Sequence, residues 1–152
     1  MSSFTDLGVP ADLVAALAAR GIVKPFPIQA LTVPDACAGR DLCGRAPTGS
    51  GKTIAFGIPL ITRLSRGSAR RPRGLVLAPT RELAAQVSAE LAWLGATRNL
   101  RVAAVYGGAS FGPQLQALRR GTEVVVACPG RLTDLLGRGD VDLREIEMVV
   151  VD

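Results

Sequence analysis

The spacing of apolar residues changes along the chain. Near the start, apolar residues recur at helical spacing between Pro10 and Gly21, and a second helix is predicted over 27–37. From residue 41 onward, short runs rich in Val and Leu alternate with longer segments of helical composition. This alternation predicts five strands, over residues 41–45, 74–78, 102–106, 123–127 and 148–151, separated by helices over 52–63, 81–94, 111–118 and 131–136.

Strands that alternate with helices form β-α-β units, and nearly continuous apolar strands are typical of a parallel sheet with helices on both faces. Right-handed crossovers then give a doubly wound α/β fold. We expect residues 1–38 to form a separate N-terminal region and residues 39–152 to form the core. A length of 152 residues, with 48% apolar and 20% charged residues, excludes a disordered, collagenous or coiled-coil chain.

The composition limits which partners and which catalytic groups the chain can have. Eighteen basic residues against thirteen acidic ones leave a net charge of +5, which favours a polyanionic partner. The chain has no histidine, which excludes Ser-His and Cys-His nucleophile pairs and any zinc site that uses histidine.

The cysteines and the N-terminus bear on location. Cys37, Cys43 and Cys128 are odd in number and contain no Cys-x-x-Cys pair, so neither disulfides nor zinc are indicated. The first residues contain no basic region followed by an apolar region, so we expect no secretory signal, and no uninterrupted apolar stretch is long enough to span a membrane. We therefore predict a cytoplasmic protein.

A glycine-rich segment lies between the first predicted strand of the core and the helix after it. Gly49 and Gly51 allow positive φ, which turns successive backbone N–H groups toward one anion. Lys52 can reach the β- and γ-phosphates of a nucleotide, and the Thr53 hydroxyl can ligate Mg²⁺. The alternative is a simple glycine-rich turn, but context and spacing favour a phosphate-binding loop made of Ala46, Pro47, Thr48, Gly49, Ser50, Gly51, Lys52 and Thr53.

Three more strand ends carry unusual residues. The strands ending near residues 78, 106 and 127 are followed by Pro79-Thr80-Arg81, Gly107-Gly108 and Cys128-Pro129-Gly130-Arg131. Ligands of open parallel sheets gather at the carboxyl ends of the strands, so this row predicts a bound sugar-phosphate backbone. Taken singly, each is also consistent with a turn or a solvated arginine. A separate arginine group in a loop fits either a solvated loop or an electrostatic aid to RNA docking: Arg63, Arg66, Arg70, Arg71 and Arg73.

Together these segments resemble the N-terminal RecA-like domain of DEAD-box RNA helicases over nearly the whole chain. Residues 21–29, with Phe4 upstream, resemble the adenine-recognising Q motif, and residues 46–53 resemble motif I. Residues 79–83, 107–108 and 128–131 resemble motif Ia, the glycine doublet and motif Ib, and Val151-Asp152 resembles the opening of motif II.

The resemblance implies ATP and Mg²⁺ as cofactors and RNA as partner. Adenine would be bound by Phe4, Pro25 and Gln29, and the phosphates by Ala46 and by Thr48 to Thr53. Lys52, Thr53 and Asp152 would serve catalysis, and Thr53 and Asp152 would hold Mg²⁺, the latter through water. The RNA backbone would be held by Pro79, Thr80, Arg81, Gly107, Gly108, Pro129, Gly130 and Arg131.

Several features depart from the family pattern. Ile22 replaces an aromatic residue, Phe26 a small hydroxyl residue and Cys128 the threonine of motif Ib. The sequence given stops at Asp152, so we expect the glutamate of motif II, a further strand and a second RecA-like domain to be missing from it. The main expectation is therefore an incomplete RecA-like P-loop NTPase core from a helicase. The alternatives are a module that binds nucleotide and RNA without hydrolysis, and another P-loop enzyme such as a small-molecule kinase.

Overall fold

The computed structural model describes residues 1–152, which form two compact units, Met1–Arg63 and Leu64–Asp152. The first unit contains three helices, α1 (Ala11–Ala19), α2 (Pro27–Cys37) and α3 (Lys52–Arg63). The second contains, in order, β1 (Gly74–Leu77), α4 (Arg81–Ala96), β2 (Val102–Val105), α5 (Phe111–Arg119), β3 (Val124–Ala127), α6 (Pro129–Gly137) and β4 (Met148–Val151). A division of the chain at residue 38 stays a prediction.

In the first unit, apolar side chains at helical spacing form the core. Leu13 and Leu17, one turn apart on α1, are fully buried, and Ile54, Ile58 and Ile61 line one face of α3. Helix α2 packs against α3 and begins with Pro27 at its first position, where the missing N–H of proline costs no hydrogen bond.

The prediction of a strand over residues 41–45 is wrong. These residues are exposed and form neither a strand nor a backbone hydrogen bond with one. An extended segment becomes a strand only when a neighbour pairs with its N–H and C=O groups, and the first unit contains no other strand. The glycine-rich segment therefore follows a stretch of backbone without regular secondary structure.

The second unit is built on a parallel four-stranded sheet in the order β2-β3-β1-β4. Strand β3 lies inside it, with Val124 to Ala127 fully buried. Strand β4 lies at an edge and pairs only with β1, and its side chains alternate between half-buried and exposed. The other four predicted strands are thereby confirmed within one residue of their bounds.

Both faces of the sheet are covered. On one face, Leu75, Val125 and Ala127 pack with Leu118 of α5 and Leu135 of α6. Residues of the opposite face, including Val76, Val124 and Val126, are equally buried, and α4 lies against β2 and β3. The predicted α/β fold with helices on both faces is confirmed.

The arginine-rich loop before β1 is held by acidic residues. Arg71 lies 3.4 Å from Glu145, and Arg73 lies 3.3 Å from Glu145 and 3.8 Å from Glu147, which also accepts a 3.1 Å hydrogen bond from the Ser65 N–H. Arg66 reaches within 3.8 Å of the buried Glu123. These partners precede β3 and β4, so this charge network lies at the amino ends of the strands and its arginines are largely neutralised.

No helix of the molecule combines the length and the apolar character that crossing a membrane requires.

Candidate functional site

The glycine-rich segment of the first unit leads directly into α3. Gly49 and Gly51 have φ angles of +80° and +81°, a region that side chains with a Cβ rarely adopt. A Cβ on Gly51 would also collide with the Gln29 amide and approach the Phe26 ring to 2.8 Å. The first N–H groups of α3 have no intrahelical partners and carry the positive end of the helix dipole. The segment thus has the backbone of an anion cradle.

Gln29 ties α2 to this segment. The side chain is buried, its Oε1 accepts a 2.9 Å hydrogen bond from the Phe26 N–H, and its Nε2 donates a 3.0 Å bond to the Gly51 carbonyl. Because one partner is a donor and the other an acceptor, the orientation of the amide is fixed. One lone pair and one N–H of the amide are left for a further partner.

The remaining predicted nucleotide residues differ in exposure. Phe4 is fully buried in the first unit and contributes to its core, whereas Pro25 is half-buried. Lys52 is half-buried, and its ammonium makes no hydrogen bond or ion pair with the protein. Phe26 is 51% exposed, and its ring lies beside Gly51, so it offers an aromatic surface that was not among the nucleotide-binding residues predicted from sequence.

The other residues of the predicted phosphate-binding loop are partly accessible. Thr48 is exposed, and Ala46, Ser50 and Thr53 are half-buried.

In the second unit, the ends of β1 and β2 bring two predicted RNA segments together. Thr80 caps α4, its Oγ1 accepting a 3.2 Å bond from the Leu83 N–H. Arg81, the first residue of α4, is exposed and lies 3.2 Å from the Glu82 carboxylate. Gly108 has a φ of +79°, and a Cβ there would collide with the Arg81 guanidinium. Arginine, helix N-terminus and bare glycine backbone thus lie side by side.

Arg131 does not project from this edge. It is 9% exposed, and its guanidinium donates 3.0 Å hydrogen bonds to Gln114 Oε1 and to the Ala109 carbonyl. It also lies 3.9 Å from the centre of the Phe111 ring. Sequence analysis missed Gln114, although this polar residue falls on the buried stripe of α5 together with Leu118.

The other residues of this edge are accessible. Pro79, Gly107, Pro129 and Gly130 are exposed, and Cys128 occupies the N-cap of α6 without a side-chain hydrogen bond to that helix. Burial, with a smaller contribution from the Glu82 charge, raises the pKa of the Cys128 thiol, which therefore stays neutral at pH 7. Asp152 follows β4, is exposed, and donates its N–H to the Leu77 carbonyl at 3.0 Å.

A parallel sheet with crossover helices on both faces and polar groups along its carboxyl edge defines a doubly wound α/β domain, the class that includes RecA-like domains. Two solved structures share this architecture. The RNA helicase Prp28 from Chaetomium thermophilum bound to ADP is 38% identical, with a TM-score of 0.92 over 100% of this chain and 38% of that one. A DEAD box protein from Methanococcus jannaschii is 34% identical, with a TM-score of 0.89 over 99% of this chain and 41% of that one.

Sequence comparison identifies the family. The family model described as DEAD/DEAH box helicase matches residues 26–152. Over 99% of its length the chain is 45% identical to DEAD-box ATP-dependent RNA helicase 9, mitochondrial, of Arabidopsis thaliana and 46% identical to ATP-dependent RNA helicase DeaD of Klebsiella pneumoniae. The chain belongs to the DEAD/DEAH box helicase family, which confirms the resemblance. It spans about a quarter of the length of these relatives, 25% and 24% respectively.

Proposed function

We propose that this chain is the ATP-binding and RNA-backbone-binding N-terminal portion of a DEAD-box RNA helicase. In the whole protein, RNA-dependent ATP hydrolysis would drive separation of short duplexes. The observation that carries the proposal is the anion cradle at the start of α3, where two glycines at positive φ are tied to the buried Gln29 amide.

The cradle fits the phosphates of ATP. Its glycine backbone and the N-terminus of α3 present N–H donors, and Lys52 offers an ammonium that no protein group occupies. The Gln29 amide, like the edge of adenine, both donates and accepts hydrogen bonds, but Gln29 is 1% exposed, so a neighbouring side chain would have to move before adenine could reach it. Phe26 supplies an apolar surface beside Gly51, and we include Phe4 and Pro25 as further adenine-binding residues on the family resemblance.

We include Mg²⁺ in the proposal, with the Thr53 hydroxyl as its ligand in the first unit; the role of Asp152, in the second unit, stays a prediction from the sequence. Hydroxyl and carboxylate oxygens suit this hard cation, which would neutralise charge on the β- and γ-phosphates when bound. The Lys52 ammonium would also stabilise negative charge on the transferred phosphoryl group.

The carboxyl edge of the sheet is proposed as the RNA surface. Arg81 and the N-termini of α4 and α6 offer positive charge and N–H donors, and Gly107 and Gly108 allow a phosphate to approach the backbone closely. None of these groups reads a base, so binding is expected to be independent of sequence. The surface comprises Pro79, Thr80, Arg81, Gly107, Gly108, Pro129 and Gly130. Arg131 is buried beneath it and is included as a residue that supports its structure.

We expect the second RecA-like domain and the carboxylate that activates water to come from the rest of the protein. Three cysteines without disulfides fit a reducing compartment, so we propose a cytoplasmic location. Relatives from Arabidopsis thaliana and Zea mays carry mitochondrial and chloroplastic names, which makes location a property to measure.

RNA-stimulated ATPase activity of the full-length protein tests the function. Lys52→Ala should lower kcat by about 10²- to 10³-fold, as expected for the loss of one charge that stabilises the transition state. Arg119→Ala, which removes an exposed cation of α5, is the matched control and should leave kcat unchanged. Equal activity of the Lys52→Ala protein and the wild type would refute the proposal.

A further inference from the structure

Arg131 directs its guanidinium into the protein. Two of its nitrogens donate 3.0 Å hydrogen bonds, one to Gln114 Oε1 and one to the Ala109 carbonyl. The Phe111 ring lies 3.9 Å from the guanidinium carbon, and only 9% of the residue is exposed. Hydrogen bonds and the face of an aromatic ring together satisfy a cation that would otherwise be costly to bury.

Gln114 completes the arrangement from the other side. It is 7% exposed, accepts from Arg131, and donates a 3.0 Å hydrogen bond from Nε2 to the Tyr106 carbonyl. Tyr106 directly precedes Gly107 and Gly108, and Ala109 directly follows them. The glycine doublet is therefore held at both ends by one connected network of buried side chains.

Such support has a physical reason. Glycine loses more conformational freedom on folding than any other residue, and two in succession make a loop that samples many conformations unless it is fixed. The planar fork of arginine reaches two acceptors at once, which a lysine ammonium on its flexible stem does not do in a fixed geometry. The exposed backbone of Gly108 can then present one conformation to a ligand.

We propose that Arg131 and Gln114 are positioning residues, which hold the Gly107-Gly108 backbone in the conformation that binds a phosphate of RNA, and that Arg131 is not itself a phosphate ligand. This inference rests on the proposed RNA surface. It changes the role of Arg131 from the one predicted from sequence and assigns a role to Gln114, which was not among the site residues predicted from sequence.

The test compares Arg131→Lys and Gln114→Ala in the full-length protein, saturated with a non-hydrolysable ATP analogue and titrated with fluorescein-labelled oligo-uridine. Both variants should bind about tenfold more weakly, as expected when a charge-assisted hydrogen bond no longer orders the loop. The double variant should be little weaker than either single one, because both act through the same loop. The slope of log affinity against log salt should stay unchanged, since no phosphate contact of a cation is lost.

Arg138→Ala is the matched control. Arg138 also lies against the Phe111 ring, at 4.4 Å, but is exposed and pairs with Asp140, so its removal should leave RNA affinity near that of the wild type. If Arg131 were a phosphate ligand, Arg131→Ala would reduce the salt slope by about 0.7, and Gln114→Ala would bind RNA like the wild type. That pair of results would overturn the inference.

Amide exchange of the peptide covering residues 106–112, measured without RNA, separates the inference from the function it rests on. Exchange should be faster in Gln114→Ala, and unchanged exchange would overturn the inference whatever the RNA affinity. Arg81→Ala, which removes an exposed arginine beside Gly108, tests the RNA surface itself. Faster exchange in Gln114→Ala, together with unchanged RNA affinity in Arg81→Ala, would instead refute the proposed RNA surface. Since Gln114 carries no charge, Gln114→Ala decides the question alone if the Arg131 variants prove unstable.

Discussion

Replacing Gln29 with glutamate changes one atom of the buried amide that joins α2 to the glycine-rich segment. One carboxylate oxygen can still accept the hydrogen bond from the Phe26 N–H, which is 2.9 Å long. The other oxygen replaces the nitrogen that lies 3.0 Å from the Gly51 carbonyl, so a hydrogen bond becomes a contact between two acceptors. The side chain is only 1% exposed, so water cannot compensate.

The structure sets the expected size of the effect. Leaving a buried polar group without its partner costs about 1 to 3 kcal/mol, and the Gly51 carbonyl retains one bond, a 3.1 Å bond from the Ala55 N–H. We therefore expect Gln29→Glu to lower the free energy of unfolding by about 2 kcal/mol at pH 7.5, roughly a 30-fold change in the folding equilibrium.

The loss should depend on pH in a defined direction. Burial beside a carbonyl disfavours the carboxylate and raises the pKa of the new side chain above the value of about 4.3 that it has when unfolded. As pH rises from about 4.3 through the folded-state pKa, the folded state loses the bound proton that it prefers, and stability falls. Near pH 4.5 the protonated acid can donate to the Gly51 carbonyl, so most of the stability returns.

Urea denaturation followed by circular dichroism at pH 4.5 and 7.5 measures both quantities. Gln86→Glu, the same change on the exposed side of α4, is the matched control and should shift stability by no more than about 0.5 kcal/mol at either pH. A Gln29→Glu protein that matches this control at pH 7.5, or that loses equal stability at both pH values, would refute the reasoning.

Two further predictions concern other parts of the molecule. Gly51→Ala should reduce stability by about 1 to 3 kcal/mol in thermal denaturation, because Gly51 has a positive φ and a Cβ there would collide with Gln29. The control Gly137→Ala, in the open last turn of α6, should raise stability by up to about 1 kcal/mol. Equal effects of the two substitutions would contradict this prediction. The Arg144 hydrogen bonds lower the pKa of Asp142 to about 2, so its carboxyl should titrate there by carbon NMR, and Arg144→Ala should return it toward 3.8. The lowered pKa of Asp142 stabilises the folded protein at pH values above the pKa of the unfolded chain, and this stabilisation is lost as the pH falls through about 2. If the pKa of Asp142 stayed near 2 in the Arg144→Ala protein, the arginine would not be its cause.

Much of the fold could be predicted from the sequence because its signals are local. The bounds of α2 and α3 agree with prediction at both ends, and residues next to these ends mark them, such as Pro27 at the first position of α2. The prediction of a strand at 41–45 is wrong because composition shows only that a segment can be extended, not that a neighbour pairs with it, and only Leu42 and Cys43 of these five residues are apolar. Pairing depends on residues far away in the chain.

The candidate site divides in the same way. The positive φ of Gly49 and Gly51 and the capping role of Thr80 follow from residue type and immediate neighbours, and were predictable. The burial of Arg131 was not, because its partners lie 17 and 22 residues earlier and meet it only after α5 and α6 pack on the sheet. Gln114 gave a weak signal, a polar residue on an apolar stripe.

The arginine-rich loop shows what tertiary structure decides about charge. From the sequence, Arg71 and Arg73 could either be solvated or help RNA to dock. Their acidic partners could not be recognised, because they lie about 70 residues later in the chain. Folding brings β4 beside β1 and with it the carboxylates that precede β4. By itself, the sequence determined the family, the order of the helices and of four of the five predicted strands, and the glycines of the cradle, which neighbouring residues encode. Only the tertiary structure decided which arginines stay exposed at the carboxyl edge of the sheet and which hold the protein together, because charges distant in sequence interact only when strand pairing brings them within a few ångströms.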